Sequence, residues 1–344
     1  MMKTKNLFIV LSALLCLISC SDDDDNNGAT EATPHCDKQV TIVFDPGQLG
    51  DRGYADDILR GVQEYINGKG KEKVDLQFIA LDDKEATMVQ LEMWAKDRSN
   101  PFYPETDYKR RLLILTEPTQ ISWLYEKEID ENDEILFLDS PQSEIDEIDA
   151  EGYEDHFHII NISAAASAEK FCKLYDQLRE ISNDTTAEDI ITLRWHTWVA
   201  YQDSIDEAIA QHYGSSFLTN DLYLESMIEE LYDEESHNKL ITTSYQLAGI
   251  FCNYAAPVAI LSDLGSGNLG FDYYLNTHNN KTALTLLVDA ETSDIANRFV
   301  IRRHFGRATA DFIDRWTKSE VGAMPYIEWH GAWDGYCEDN IFNF

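Results

Sequence analysis

The amino-acid sequence predicts an α/β fold in which two doubly wound parallel sheets face each other across a cleft. Short apolar runs alternate with segments of helical apolar spacing in units of about 30 residues, which is typical of strand–helix–strand crossovers. The runs are continuous rather than alternating, as in strands that are buried on both faces. The number of predicted strands also exceeds the number in a typical single sheet of this kind.

The first half of the chain begins with a predicted strand at 39–44, which ends at the turn sequence Asp45-Pro46-Gly47. From Ala55 the apolar residues follow helical spacing, and Gly68 lies just beyond the end of that helix. The same patterns predict further strands at 74–79, 111–115, 134–138 and 158–162, and helices at 86–94, 121–127 and 165–181.

The second half continues the alternation. It has predicted strands at 190–193, 258–261 and 283–288, and helices at 203–213, 240–252 and 271–275. Ligands of doubly wound folds bind at the carboxyl ends of the strands. Two facing sheets would therefore line a cleft with those ends.

The pattern of the first residues predicts an export signal. Lys3 and Lys5 precede an apolar stretch, residues 7–17, that is shorter than a transmembrane helix requires. The sequence Leu17-Ile18-Ser19-Cys20 resembles a bacterial lipobox, in which the signal is cut before a cysteine that is then lipidated. An ordinary secretory signal with an incidental cysteine is the alternative.

An acidic run, Asp22–Asp25, follows this cysteine and resembles the export tag of surface-displayed lipoproteins in Bacteroidetes-type bacteria. We therefore expect residues 1–19 to be a signal peptide and residues 20–37 a flexible acidic tether. The expected location is the cell envelope, as an outer-membrane lipoprotein anchored through Cys20, either surface-exposed or periplasmic.

The composition limits the partners. The chain has 27 basic and 63 acidic residues and a formal net charge of −36, which argues against nucleic acid and anionic lipid. A hydrophobic content of 44% excludes a disordered chain. After the signal, no stretch approaches the apolar length of a membrane helix.

Two segments carry motifs: FDPGQLGDRGYADDILRGVQEY at 44–65 and VAILSDLGSGNLGFDYYL at 258–275. In the first, a Gly-rich turn with Asp51 joins a strand to a helix. In the second, the turn containing Gly267 and Asn268 opens a helix. Such turns expose backbone N–H groups that can donate to ligand oxygens.

In this order and at these spacings, the segments resemble the basic membrane protein (BMP) family of lipoproteins over roughly residues 38–318. The resemblance implies a nucleoside-binding protein with a type 1 periplasmic-binding fold. It implies that Tyr54 stacks on a purine ring and that the Asp289 carboxylate accepts hydrogen bonds from ribose hydroxyls. Simple half-burial of Tyr54 and structural capping by Asp289 are the alternatives.

The chain departs from the family pattern at other turns. Thr116-Glu117-Pro118-Thr119 replaces a Gly-rich turn, which makes Glu117 a candidate cleft acid. Arg302 and Arg303 stand near the place where the resembled family has a ligand-contacting lysine.

Another Gly-rich turn is replaced by Arg194-Trp195-His196-Thr197-Trp198. Indoles stack on sugars and bases, although packing of either ring in the core is the alternative. The predicted ligand-binding residues are Tyr54, Asp51, Glu117, Trp195, Trp198, Gly267, Asn268 and Asp289.

Signals of catalysis are lacking, since the sequence has no G-x-S-x-G and no H-E-x-x-H motif. We therefore expect no enzyme, no cofactor and no metal site. Cys36, Cys172, Cys252 and Cys337 match no zinc or redox spacing. A bridge between Cys36 and Cys337, near the two ends of the folded region, and buried free cysteines both stay open.

We expect residues 38–161 and 292–318 to form domain one and residues 162–291 to form domain two, with 319–344 packing across them. The predicted function is a lipid-anchored, extracytoplasmic solute-binding protein. Its cleft would bind a small polar ligand, nucleoside- or sugar-like, and deliver it to a membrane transporter. A surface interaction or adhesion module without a small ligand and, with less support, a secreted hydrolase are the alternatives.

Overall fold

All eight apolar runs predicted to be strands form strands in the computed structural model of the chain. The structure describes residues 36–44, 49–50, 53–70, 74–81, 84–100, 103–124, 129–141, 145, 156–182, 190–194, 200–214, 219–223, 234–251, 258–263, 270, 273–274, 277–278, 283–289, 298–321 and 326–342. Within them the predicted α/β fold with parallel sheets is confirmed.

The first sheet is wholly parallel. Its strands are β1 (Lys38–Phe44), β2 (Asp75–Ala80), β5 (Arg110–Leu115), β6 (Asp133–Leu138), β7 (Phe157–Ile162) and β13 (Tyr326–His330), in the order β13-β7-β6-β5-β1-β2. Strand β1, which lies between β5 and β2, is buried along its length except at Lys38, because both faces of the sheet are covered. A small hairpin of β3 (Ser99–Asn100) and β4 (Tyr103–Asp107) lies apart from it.

The second sheet repeats this arrangement. Its strands are β8 (Ile190–Arg194), β9 (Thr219–Tyr223), β10 (Val258–Asp263), β11 (Ala283–Val288), β12 (Arg298–Arg303) and β14 (Cys337–Phe342), in the order β14-β12-β11-β10-β8-β9. The edge strand β14 runs antiparallel to β12, and the other pairs are parallel. Position by position, the two strand orders are equivalent.

Helices lie between the strands as the alternation predicts. They are α1 (Tyr54–Tyr65), α2 (Lys84–Lys96), α3 (Ala165–Ser182), α4 (Ala200–Tyr213), α5 (Glu234–Phe251) and α6 (Phe305–Thr317). The helix expected at 121–127 is a 3-10 segment, Pro118–Leu124, in the described part. Most of the helix expected at 271–275 falls outside the described residues.

Strand β12 corrects the predicted division of the chain. The sequence predicts that residues 292–318 belong to domain one, but β12 pairs with β11 and β14 in the second sheet. The pattern missed this strand because arginines flank its short apolar run. Helix α6 does pack on α1, and residues 319–344 add one strand to each sheet. Residues 36–344 form one compact unit, and the rest of the predicted division stays a prediction.

One hydrophobic core joins the two sheets. It contains fully buried side chains of the first sheet, such as Val40 and Leu136, together with Leu286 and Phe299 of the second. A separate core covers the other face of the first sheet around Phe137. Burial of this kind supplies the main stabilising free energy of such a fold.

Helices α1 and α6 touch through two glycines. A Cβ atom added to Gly306 would lie 2.0 Å from the carbonyl oxygen of Asp57, and one added to Gly61 would lie 2.3 Å from the carbonyl carbon of Gly306. The Gly306 N–H also donates to the Asp57 carboxylate at 2.7 Å. Only residues without a side chain permit this approach.

We predict that Gly306→Ala lowers the free energy of unfolding by about 2–3 kcal/mol, because the new methyl group must displace the backbone of α1. Urea unfolding would measure the loss. The matched control is Gly68→Ala, since Gly68 is exposed and has no atom within 4 Å of an added Cβ. Equal stability of the two variants would contradict the prediction.

Candidate functional site

The carboxyl ends of strands from both sheets converge on one arginine. Arg303 is the last residue of β12, Asp289 follows β11, and Asp139 follows β6 of the first sheet. Tyr54 at the start of α1 and Glu117 after β5 border the same group. We call these five residues the carboxyl-edge junction. It lies where open α/β sheets bind their ligands.

Arg303 links the two sheets by charge-assisted hydrogen bonds. Its Nη1 donates to Asp139 Oδ2 and its Nη2 to Asp289 Oδ2, both at 2.5 Å. Its Nε donates to Asp289 Oδ2 and its backbone N–H to Asp289 Oδ1, both at 2.9 Å. All three side chains are at least nine-tenths buried, so the charges are held with little solvent screening.

The two aspartates have equivalent backbone geometry in the two sheets. Both adopt left-handed conformations, with φ of 53° at Asp139 and 52° at Asp289. The N–H of Asp139 donates to Ile160 of the neighbouring strand, and the N–H of Asp289 donates to Ile301 in the same way. Aspartate tolerates this conformation better than most residues. Each strand end therefore turns its carboxylate toward Arg303.

Tyr54 is held by contacts from both sheets. Its hydroxyl donates to the Thr116 carbonyl at 3.0 Å, and its ring meets Phe305 edge-on at 5.0 Å. The Arg303 guanidinium lies 5.8 Å from the ring centre. Burial, together with the charges of Asp139 and Glu117, raises the pKa of Tyr54 well above its usual value. The phenol therefore stays protonated and can donate.

Glu117 lies in a turn that side chains fix. The Gln120 amide oxygen accepts the N–H of Thr116 at 3.0 Å, and the Thr116 hydroxyl donates to the Val43 carbonyl at 2.7 Å. Glu117 itself is only 6% exposed. A carboxylate is thus kept at the end of β5 in an ordered, largely dry setting.

The electrostatic balance of the junction is negative. Three carboxylates, of Glu117, Asp139 and Asp289, surround one guanidinium, whose donors face two of them. The junction therefore combines carboxylate oxygens and aromatic surface with a cation that is engaged. An anionic ligand would meet like charge here, whereas hydroxyl or amino hydrogens would meet acceptors.

Three of the predicted site residues come together. Tyr54, Glu117 and Asp289 all border the junction, whereas Asp51, Trp195, Trp198, Gly267 and Asn268 lie outside the described residues. Cys20 also lies outside them. Both oxygens of Asp289 accept hydrogen bonds from Arg303, at the end of the neighbouring strand β12.

Asp139 is the residue that the sequence reasoning missed. Its signal is an aspartate directly after an apolar run, the same placement that drew attention to Asp289. The family resemblance makes Arg303 a candidate ligand contact, and the structure engages its guanidinium with two carboxylates.

The described cysteines are free. Cys36, Cys172 and Cys337 form no disulfide, so the bridge between Cys36 and Cys337 is not made. Cys252 lies outside the described residues. In the described part of the chain, no group of His, Cys, Asp and Glu could hold a metal ion, and no helix is long and apolar enough to span a bilayer.

Solved structures share this fold at low sequence identity. The chain is similar to an ABC transporter system solute-binding protein from Aeropyrum pernix K1, with 13% identity and a TM-score of 0.60 over 88% of this chain and 76% of that one. It is similar to a sugar ABC transporter protein from Yersinia enterocolitica, with 10% identity and a TM-score of 0.54 over 89% and 83% of the two chains.

A transcription regulator of Staphylococcus saprophyticus shares 12% identity, with a TM-score of 0.54 over 90% of this chain and 98% of that one. These likenesses show the type 1 periplasmic-binding-like fold. No family model and no curated protein matches the chain, so membership of the basic membrane protein family is not confirmed.

We predict that Asp139→Asn lowers the free energy of unfolding by about 1–3 kcal/mol, because Arg303 then loses its charged partner in the first sheet. Urea unfolding at neutral pH would measure the change. Glu207→Gln, on an exposed position of α4, is the control and should leave stability within about 0.5 kcal/mol. A D139N protein as stable as the parent would show that Arg303 does not depend on this contact.

Proposed function

We propose that the chain is a solute-binding protein that closes on a small, uncharged polar ligand, nucleoside- or sugar-like, at the carboxyl-edge junction. The observation that carries the proposal is the convergence of strand ends from both sheets on Arg303. In a two-sheet fold of this type, a ligand at that place touches both halves at once. Its binding would therefore favour the closed arrangement over open ones.

The chemistry of the junction supports a neutral ligand. Each carboxylate of the junction has about four lone-pair sites, so it can accept a hydroxyl hydrogen beside its existing bonds, and the rings of Tyr54 and Phe305 supply apolar surface. Sugars and nucleosides present both hydroxyl donors and flat or apolar faces. Phosphorylated forms carry negative charge toward carboxylates and are disfavoured.

The first residues of the chain support a cellular location for this function. A lipobox-like sequence at Cys20 and an acidic run behind it support a tethered protein in the cell envelope. A binding protein so placed would capture its ligand outside the cytoplasm and pass it to a membrane transporter. Solute-binding proteins among the similar structures support that role at a coarse level.

A surface interaction module is the second candidate, and one observation favours it. Ile327, Trp329 and Trp333 are 44%, 48% and 67% exposed, although large apolar side chains are usually buried. Ile327 and Trp329 lie on the edge strand β13, and Trp333 follows it. Clustered exposed aromatics often mark protein contacts.

A thermal-shift screen tests the proposal. We expect at least one nucleoside, nucleobase or neutral sugar to raise the melting temperature, because a ligand at 100 times its dissociation constant stabilises by about 2.7 kcal/mol. The corresponding monophosphates are the matched controls and should give no shift. No shift with any compound favours the interaction module, and turnover of a bound glycosidic bond would indicate a hydrolase instead.

With a ligand identified, we predict that Glu117→Gln weakens its binding by about 1.5–3 kcal/mol, the range for a lost hydrogen bond to a charged group. Isothermal titration calorimetry gives the affinity, and urea unfolding of the same variant separates binding from folding. Glu131→Gln, at an exposed position before β6, is the control. Unchanged affinity in E117Q would exclude Glu117 from the ligand site.

A further inference from the structure

Three short segments carry the chain between the two sheets. The first follows β7, the second is His304 between β12 and α6, and the third is Gly331–Tyr336, which joins β13 to β14. We call Gly331–Tyr336 the third crossing. Segments of this kind absorb the rotation when two halves open and close.

Backbone hydrogen bonds join the third crossing, at Tyr336 and at the preceding residue His330, to the other two connections. Ser163, just after β7, donates its N–H to the His330 carbonyl at 2.9 Å. His304 donates its N–H to the Tyr336 carbonyl at 2.8 Å. A change in the conformation of the third crossing would therefore also affect the other two connections.

Asp334 holds the turn of the third crossing. Its Oδ1 accepts the N–H of Gly331 at 3.0 Å and that of Tyr336 at 3.4 Å. Its Oδ2 lies 2.7 Å from His330 Nδ1. The turn is thus tied through one carboxylate to the last residue of β13.

His330 stands between two carboxylates. Its Nδ1 faces Asp334, and its Nε2 lies 2.7 Å from Glu328 Oε1. A neutral imidazole has one N–H, so only the protonated ring can donate to both oxygens. Burial lowers the pKa of His330, but the bonds to Glu328 and Asp334 outweigh it and raise the pKa above the usual value.

The other charged groups around His330 come from α6. Arg315 pairs with Glu328 at 2.5 Å, which keeps that carboxylate in place whatever the state of His330. The Tyr336 ring lies 4.1 Å from the His330 ring, donates its hydroxyl to Asp311 at 2.6 Å and lies under the Arg307 guanidinium. Asp334 has no such second cation among the described contacts, so loss of the His330 proton removes the positive charge that faces this carboxylate.

We propose that the third crossing is a proton-controlled hinge. Protonated His330 anchors Asp334 and stiffens the crossing, and deprotonation releases the turn and makes opening of the two halves easier. A ligand at the carboxyl-edge junction would then leave faster as the pH rises, a consequence that rests on the proposed function. Because the pKa of His330 is raised on folding, its stabilising contribution is present at low pH and is lost as the pH rises through the folded value.

Amide hydrogen exchange of the ligand-free protein tests the hinge. After correction for the intrinsic pH dependence of exchange, protection of the amides of Gly331 and Tyr336 should fall about tenfold between about pH 6 and about pH 9, the factor expected for one lost charge-assisted hydrogen bond. In His330→Asn the protection should be low and independent of pH. His278→Asn, at an exposed histidine between β10 and β11, is the matched control and should behave as the parent.

Asp334→Asn provides a second variant, because asparagine keeps an oxygen for the Gly331 N–H but removes the charge facing His330. An NMR titration of the His330 ring should give a lower pKa in this variant than in the parent. Protection of the crossing that is constant with pH in the parent, or an unchanged His330 pKa in D334N, would overturn the proposal. These readouts need no ligand, so they are independent of the thermal-shift screen that tests the proposed function.

Discussion

The structure depends on one guanidinium shared between carboxylates of two sheets. Arg303 ends a strand of the second sheet, and Asp139 ends a strand of the first, so their contact fixes how the two carboxyl edges meet. Burying three charges costs solvation free energy that their mutual attraction only partly returns, and such networks often contribute specificity of arrangement more than stability. The register of the two halves is therefore set by polar contacts at the site, while the continuous apolar core supplies the stabilisation behind it.

The near-equivalence of the two sheets explains why the charges converge. Both sheets have the same strand order. In each, an aspartate with a left-handed backbone follows the third strand of that order, β6 in the first sheet and β11 in the second. Placing two such sheets with their carboxyl ends together brings both aspartates to the same point. One arginine then satisfies both. The binding chemistry of the junction is thus a consequence of strand order as much as of residue choice, and the aromatic lining from Tyr54 and Phe305 completes it.

The buried strands could be predicted because a strand covered on both faces is largely apolar, as in the Leu112–Leu115 run of β5 and in most positions of β7. Two of the strands that were not predicted depart from this pattern: β9 is TNDLY, and the arginines of β12 interrupt its apolar run. Within the site, Tyr54, Glu117 and Asp289 follow strands and could be selected from the sequence. The partnership of Asp139 with Arg303 joins residues 164 positions apart and has no local signal. Long-range ion pairs are fixed by topology, which periodicity alone does not specify.

The contact between Gly61 and Gly306 has a consequence for how the chain folds. The hydrogen bond beside it spans 249 residues, and β13 completes the first sheet only near the C-terminus. Contacts of such separation require closure of a very long loop before they can stabilise the fold, which slows folding. A nascent chain that lacks its last segment presents β7 and β12 as unpaired sheet edges, which are templates for aggregation. Loss of β13 or β14 would therefore expose β7 or β12, two strands that are almost wholly buried in the complete fold.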